Sequence, residues 1–390
     1  METIVKENVE NQHQTQTDVK SLKERKSNIE FLRIIAMILI ILSHYAYHGN
    51  LISVENSNIN KYIALLLLFG GKLGVDIFIL ITGYFQINST TIKIKKVLLL
   101  IAQVYFYCLF FEILNGIINN HISKELILNS IMEIFKEYWF IRYYIVIYMI
   151  SPVINWCIKK LERKNFEMLL FFSFIFFCIV PIITKKFSVK GAELFSFLVF
   201  IYCIGAYIKL YKISFKTIWD KVLILICSVF SAYIINLNRA LRHPGENCRM
   251  YIDFPENFIP IILVAVILFI YFKDLKIKNN KIINAIAKLT FGVYLFHENN
   301  LFRSFLWNKI LLVQKFYTAN VIVLIIHMIF SILFIYAATY IIEFIRKPIE
   351  NQLLKLIDFI KRKIDESFRK NKKIRVYNSD YNNFDNRNIS

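Results

Sequence analysis

The stretch Ile29-Glu-Phe-Leu-Arg33-Ile-Ile-Ala-Met-Ile-Leu-Ile-Ile-Leu-Ser43-His44-Tyr45 decides how this chain is read. It is an apolar run of bilayer-spanning length that carries an arginine and a histidine. Ionisable residues inside a spanning helix are costly and by default mark a functional site. Eleven helical steps of about 100° return His44 almost to the face of Arg33, roughly 16 Å further along the axis. Both side chains are therefore expected on one stripe of one helix, near opposite ends of the bilayer core. That spacing suits a protein handling something charged on one side and something protic on the other.

The rest of the composition agrees. Of 390 residues, 57% are hydrophobic, with 36 Phe and 22 Tyr against 10 Gly and 6 Pro. A soluble domain cannot hide that much apolar surface, so the fold class expected is an all-α polytopic membrane protein. The net charge of +20 sits mostly in short loops and at the two ends. It is a topology signal rather than a nucleic-acid one. The six cysteines, Cys108, Cys157, Cys178, Cys203, Cys227 and Cys248, lack paired spacing. Neither a disulfide framework nor a metal motif is expected.

Apolar runs occur at 29–48, 62–85, 97–119, 138–157, 168–184, 194–210, 221–237, 257–272, 283–302 and 319–345. They predict about ten transmembrane helices. Lys93, Lys95 and Lys96, then Lys159 to Lys164, Lys209 to Lys221 and Lys273 to Lys281, fall in alternate loops. The positive-inside rule then places both termini in the cytoplasm. Residues 1–28 are polar and expected to be a disordered cytoplasmic segment without a cleavable signal peptide. The helical domain is expected over 29–346, followed by a basic amphipathic interfacial helix at 347–369 and a disordered tail at 370–390. The longest outer loop, 238–256, is either a lid or a connector.

Polar groups can be placed by depth. The ninth run ends Phe291-Gly-Val-Tyr294-Leu-Phe-His297-Glu298-Asn299-Asn300-Leu-Phe-Arg303. His297 falls at the same depth as His44, and Glu298 could orient or charge a nearby ring. Imidazole is the usual base near neutral pH. For His48, His121, His243 and His327, ordinary hydrogen bonding or solvation suffices. Arg33 either binds a ligand or reaches the inner headgroups. Asp76, within Gly70-Gly-Lys72-Leu-Gly74-Val-Asp76, needs a partner, for which Arg33 and Lys72 are candidates. The glycines allow close helix approach or a break. Lys93 and Lys96 are either topology lysines or a dock for a phosphorylated cytosolic molecule. Tyr138, Trp139 and Arg142 form either an interfacial belt or an aromatic, basic rim for a sugar acceptor.

These motifs, in order, resemble the membrane-bound acyltransferase-3 family. Arg33 and His44 separated by ten residues look like its hallmark. Gly74-Val-Asp-Ile-Phe78 with Thr82-Gly83-Tyr84, Tyr138-Trp139-Phe140 through Ser151-Pro152, and Gly292-Val-Tyr294-Leu-Phe-His297 are similar to its further motifs. His-Glu-Asn with Arg303 downstream resembles members acting on bacterial surface polysaccharides. The resemblance covers about residues 29–346. It implies an O-acyltransferase of the plasma (inner) membrane. Such an enzyme takes an acetyl or other short acyl group from cytosolic acetyl-CoA, or another acyl-CoA, to a glycan hydroxyl at the outer face.

On that resemblance His44 is the general base or acyl relay, with His297 beside it, and Arg33 holds the donor. Lys93 and Lys96 stand where the family often has an Arg-x-x-Arg pair, keeping the charge without the bidentate fork. Thr82 replaces a serine and keeps the hydroxyl. Asp76, Tyr138, Trp139, Arg142, Glu298 and Arg303 complete the expected substrate-binding set. The partners implied are acyl-CoA, a glycan acceptor and membrane lipid; no metal and no nucleic acid is implied. The chain length leaves no room for an added extracytoplasmic domain, so acyl transfer is expected within the bundle or by hand-off to a separate protein. The rival readings are an exporter of a glycan or small anion, and a non-catalytic assembly partner.

Overall fold

The computed structural model describes residues 26–52, 58–118, 138–184, 190–215, 217, 219–242 and 255–385. These residues are helical throughout their ordered elements, with no strand among them. In chain order the helices are α1 (Ser27–His48), α2 (Ile59–Leu67), α3 (Phe69–Gln86), α4 (Ile94–Ile118), α5 (Trp139–Lys160) and α6 (Arg163–Phe174). A π-helical turn, Ile175–Ile179, leads into α7 (Val180–Thr184). Then follow α8 (Ala192–Leu210), α9 (Trp219–Arg242), α10 (Ile259–Asp274), α11 (Lys281–His297), α12 (Asn300–Phe305) and α13 (Val321–Asp385).

Eight stretches are long and apolar enough to cross a bilayer. The protein is an all-α polytopic membrane protein. Two of the ten expected spans come out shorter. The runs 257–272 and 283–302 form α10 and α11, of 16 and 17 residues. At 1.5 Å per residue these are about 24–26 Å long, less than a full hydrocarbon core. Polar residues end both: Lys273-Asp274 closes α10, and the His297-to-Arg303 turn redirects the chain into α12. Among the described residues five cysteines are free, and Cys248 lies outside them.

The helix α3 is central. It packs against α1, α8 and α10, and 67% of the spanning window that contains it is buried. Its glycines serve close approach. A Cβ on Gly83 would sit 2.1 Å from the carbonyl oxygen of Tyr202 in α8. Reciprocally, a Cβ on Gly205 of α8 would sit 2.3 Å from the carbonyl oxygen of Leu80. Two backbones in such contact cannot yield as a flexible side chain would. Replacing Gly83 by Ala is therefore expected to destabilise the bundle by about 1–3 kcal/mol, read as a lower thermal midpoint of the purified protein.

Asparagine side chains lock the helix ends. Asn155 Nδ2 donates to the carbonyls of Gln86 (2.7 Å) and Ser89 (2.9 Å), and its Oδ1 accepts from Tyr202 OH at 2.7 Å. Asn28 Nδ2 donates to the carbonyls of Phe272 and Lys273, both at 2.9 Å, binding the start of α1 to the end of α10. Such bonds satisfy carbonyls that a helix terminus leaves without intrahelical partners.

A buried polar knot ties α4 to α13. Glu343 Oε1 accepts from Gln103 Nε2 (2.8 Å) and Tyr107 OH (2.9 Å). Its Oε2 pairs with Arg346 Nη2 at 2.8 Å, and the same guanidinium reaches Glu350 at 2.8 Å.

Three expected boundaries are placed differently. Of residues 1–28 only the last three are described, and Ser27 and Asn28 already belong to α1. Helix α13 runs 65 residues without a break at 347 or 370, passing through Pro348. The expected outer loop 238–256 overlaps the end of α9, while its middle, 243–254, lies outside the described residues, as does His121.

Candidate active site

Helix α1 presents Arg33, Met37, Ile40 and His44 to one cavity of about 420 Å³. The spacing i, i+4, i+7, i+11 is one helical stripe, as the opening segment predicted. The cavity is walled by α3 through Gly71, Lys72, Val75 and Thr82. Helix α5 adds Trp139, Phe140 and Tyr144, and α11 adds Thr290 and Tyr294. Glu298 and Arg303 close the His44 end.

The chemistry concentrates where α11 stops. His297 is the last residue of α11, Glu298 follows it, and Asn299 caps α12 by accepting from Leu301 N at 3.2 Å. His297 is 0% exposed. Its Nδ1 lies 2.5 Å from the carbonyl oxygen of Val293. A carbonyl can only accept, so Nδ1 carries the proton. His297 Nε2 is then an acceptor, and it lies 3.0 Å from His44 Nδ1. His44 Nδ1–H is therefore the donor between them. The second nitrogen, His44 Nε2, keeps its lone pair and makes no hydrogen bond among the described residues. The fixed tautomer makes His44 a base rather than an acid.

Glu298 supplies the countercharge. Its Oε1 pairs with Arg303 Nη1 at 2.7 Å. Its Oε2 lies 3.0 Å from His44 Nδ1 and 3.3 Å from His48 Nε2. That oxygen is buried and makes no aligned hydrogen bond, so it acts beside the rings electrostatically. A proton gained at His44 Nε2 would leave an imidazolium against a carboxylate, which lowers the energy of the charged ring.

The turn itself is held from behind. Tyr138 OH donates to the carbonyl of Leu295 at 2.9 Å and accepts from Asn299 Nδ2 at 3.0 Å. These two bonds bracket His297 and Glu298. Tyr138 is 1% exposed. The sequence reads it as part of an interfacial belt or of a rim for a sugar acceptor; it is instead buried, because its hydroxyl satisfies the polar groups of the turn. Tyr138→Phe is expected to remove about 1–3 kcal/mol from the turn. Thermal denaturation of the purified variant measures it.

The other expected site residues divide. Arg33, Thr82, Trp139, Glu298 and Arg303 line the cavity with His44. Arg33 lies 3.9 Å from Glu30, and its Nε is buried without a hydrogen-bond partner. Thr82 Oγ1 donates to the carbonyl of Phe78 at 2.8 Å. Asp76 is 2% exposed and does not line the cavity; its Oδ2 has no hydrogen-bond partner. Of its two expected partners, Lys72 interacts with it electrostatically while forming its ion pair with Glu256 at 2.6 Å, and Arg33 lies near Glu30. Arg142 is exposed, over the Tyr143 ring at 5.3 Å, and outside the cavity wall. Lys93 and Lys96 are exposed and also outside it, with Lys96 Nζ 4.9 Å over Tyr148.

Two wall residues were passed over. His48 lies one helical turn after His44, so the i, i+4 rule places it on the same face. Lys72 was read as a partner for Asp76, yet it reaches the cavity with its Nζ 5.7 Å from the Trp139 ring.

The site is an apolar-walled cavity between helices, with the Arg33 guanidinium at one end and a histidine–carboxylate pair at the other, an arrangement suited to group transfer within a membrane. The acyltransferase-3 family profile, described as an acyltransferase domain, matches residues 26–344, and the chain belongs to that family. It is a membrane acyltransferase. No curated protein and no solved structure matches the chain.

Proposed function

We propose that this protein carries an acetyl or other short acyl group from cytosolic acyl-CoA to a hydroxyl of a cell-surface or exported polysaccharide, across the plasma (inner) membrane. The observation that carries the reading is the single cavity shared by Arg33 and His44. Arg33 marks the cytoplasmic end and engages the anionic part of the donor. His44, with Glu298 and Arg303, marks the outer end. Trp139, Phe140 and Tyr144 give an aromatic wall against which a sugar ring packs.

The reaction follows from the tautomer. His44 Nε2 accepts the proton of the sugar hydroxyl as the oxygen attacks the thioester carbonyl. The tetrahedral intermediate collapses, the C–S bond breaks, and the thiolate takes the proton back from the imidazolium. Glu298 stabilises that imidazolium while it lasts. Arg33 stands roughly 16 Å from His44 along α1, too far to stabilise the oxyanion. That charge falls to the cations nearer the base, Arg303 and Lys72.

Purified protein in proteoliposomes with labelled acetyl-CoA and a polysaccharide acceptor tests the reading. The result expected is base-labile label on the glycan. In cells, O-acetyl esters on the surface polysaccharide should disappear when the protein is absent. Glycan movement across the bilayer with no ester formed would replace the transferase with an exporter.

A further inference from the structure

We propose that His44, His48 and Glu298 also form a site for a borderline divalent cation such as Zn2+, and that filling it switches the transferase off. The second half rests on the reading of His44 as the base; the first half does not.

The three residues present one ligand atom each, and those atoms lie within 4.8 Å of one another. Glu298 Oε2 is 3.0 Å from His44 Nδ1 and 3.3 Å from His48 Nε2. Zinc binds imidazole nitrogen and carboxylate oxygen at roughly 2.0–2.2 Å, so tetrahedral ligands stand about 3.3–3.5 Å apart. Glu298 Oε2 and His48 Nε2 are at that spacing, Oε2 and His44 Nδ1 are slightly closer, and all three atoms lie within 4.8 Å, so a small opening of the cluster admits the ion. Two nitrogens and one oxygen suit zinc better than the all-oxygen sites of calcium or magnesium.

The surroundings support the same ligand set. His44 and His48 are one helical turn apart on α1, so a rigid backbone sets their separation. Glu298 gives Oε1 to Arg303, which leaves Oε2 as its free coordinating atom and fixes the carboxylate's orientation. Such outer partners orient a metal ligand. Oε2 is also buried with no aligned hydrogen bond, a group that gains by ligation. All three residues line the cavity, which provides an entry path and an open fourth position.

The off state follows from the tautomer. Metal at His44 Nδ1 displaces the proton now shared with His297. The neutral ring then carries its proton on Nε2. The nitrogen that accepted from the substrate hydroxyl becomes a donor, and the base is lost. No net proton is released by this exchange.

Tag-free protein in detergent, titrated with Co2+ alone, tests binding without any acyl substrate. One equivalent should give the visible bands of a four-coordinate Co2+ site, displaced by Zn2+. His48→Gln should weaken that binding by about tenfold or more. Zn2+ should also inhibit acyl transfer, with a half-inhibitory concentration shifted by the same factor in His48→Gln, each protein being compared with its own metal-free rate. Absence of four-coordinate bands, or binding unchanged in both His48→Gln and Glu298→Gln, overturns the site. Binding at the site with an unchanged or raised rate overturns the off state. A protein that binds Co2+ as described yet shows no acyl transfer under any condition counts against the transferase reading and leaves the metal site standing.

Discussion

Replacing His44 by glutamine is expected to lower acyl transfer by about 10²–10⁴-fold, with little change in the apparent affinity for acyl-CoA. Glutamine keeps much of the volume and polarity of the wall but cannot take a proton near neutral pH. On the proposed reading the donor is held at Arg33, roughly 16 Å away, and should not sense the change. The pH profile gives a second readout. A base acts only when unprotonated, so the proposed role predicts an acid limb in the wild-type rate profile. The residual rate of His44→Gln should lack that limb. Single-turnover transfer from labelled acetyl-CoA, measured from pH 5 to 8, checks both. A variant with wild-type rate and an unaltered limb would remove His44 from the mechanism.

Glu298→Gln is expected to be nearly as damaging, by roughly 10²–10⁴-fold in kcat, although it alters one atom. Arg303 holds the Oε1 position at 2.7 Å and can only donate to it. The amide oxygen of glutamine must take that place, and the NH2 group falls where Oε2 stood. It then faces His44 Nδ1 at about the 3.0 Å that Oε2 occupies in the wild type. Its hydrogens crowd the His44 ring and can accept nothing from it, while Nδ1–H stays with His297. The countercharge for the imidazolium is lost at the same time. Glu298→Asp, which keeps the charge at a shorter reach, should retain more activity than Glu298→Gln. The opposite ranking would assign Glu298 to steric packing alone.

The sequence was most informative where polar residues interrupt apolar runs, because the bilayer makes each one conspicuous. Arg33 and His44 were placed on one cavity by counting helical steps, and depth put His297 beside His44, although it is buried behind the cavity wall and does not line it. The turn at Glu298 was not foreseen: the run 283–302 was read as one helix, and α11 ends at His297. Facing direction within an aromatic cluster was not legible. Tyr138, Trp139 and Arg142 share one composition, yet one is buried, one lines the cavity and one is exposed. The partners that decide this for Tyr138 lie 157 and 161 residues away, at Leu295 and Asn299. Lys72 does act on Asp76 electrostatically, as read, but its ion pair with Glu256, 184 residues distant, was not legible. The knot of Gln103, Tyr107, Glu343 and Arg346 went unseen for the same reason. Hydropathy also overcounted full-length spans. Windows register apolar content, whereas α10 and α11 are ended by the polar turns that follow them.

One helix, α1, bears both Arg33 and His44 with no break between them. The interval from anchor to reaction point is thus a property of peptide geometry, and it stays constant however the neighbouring helices rock or breathe. On the proposed reading, such a protein measures its donor with a rigid ruler. A thioester whose arm is too short to bridge that interval would be gripped yet remain unreacted, so selection among carriers would be made by reach before any recognition of the acyl group.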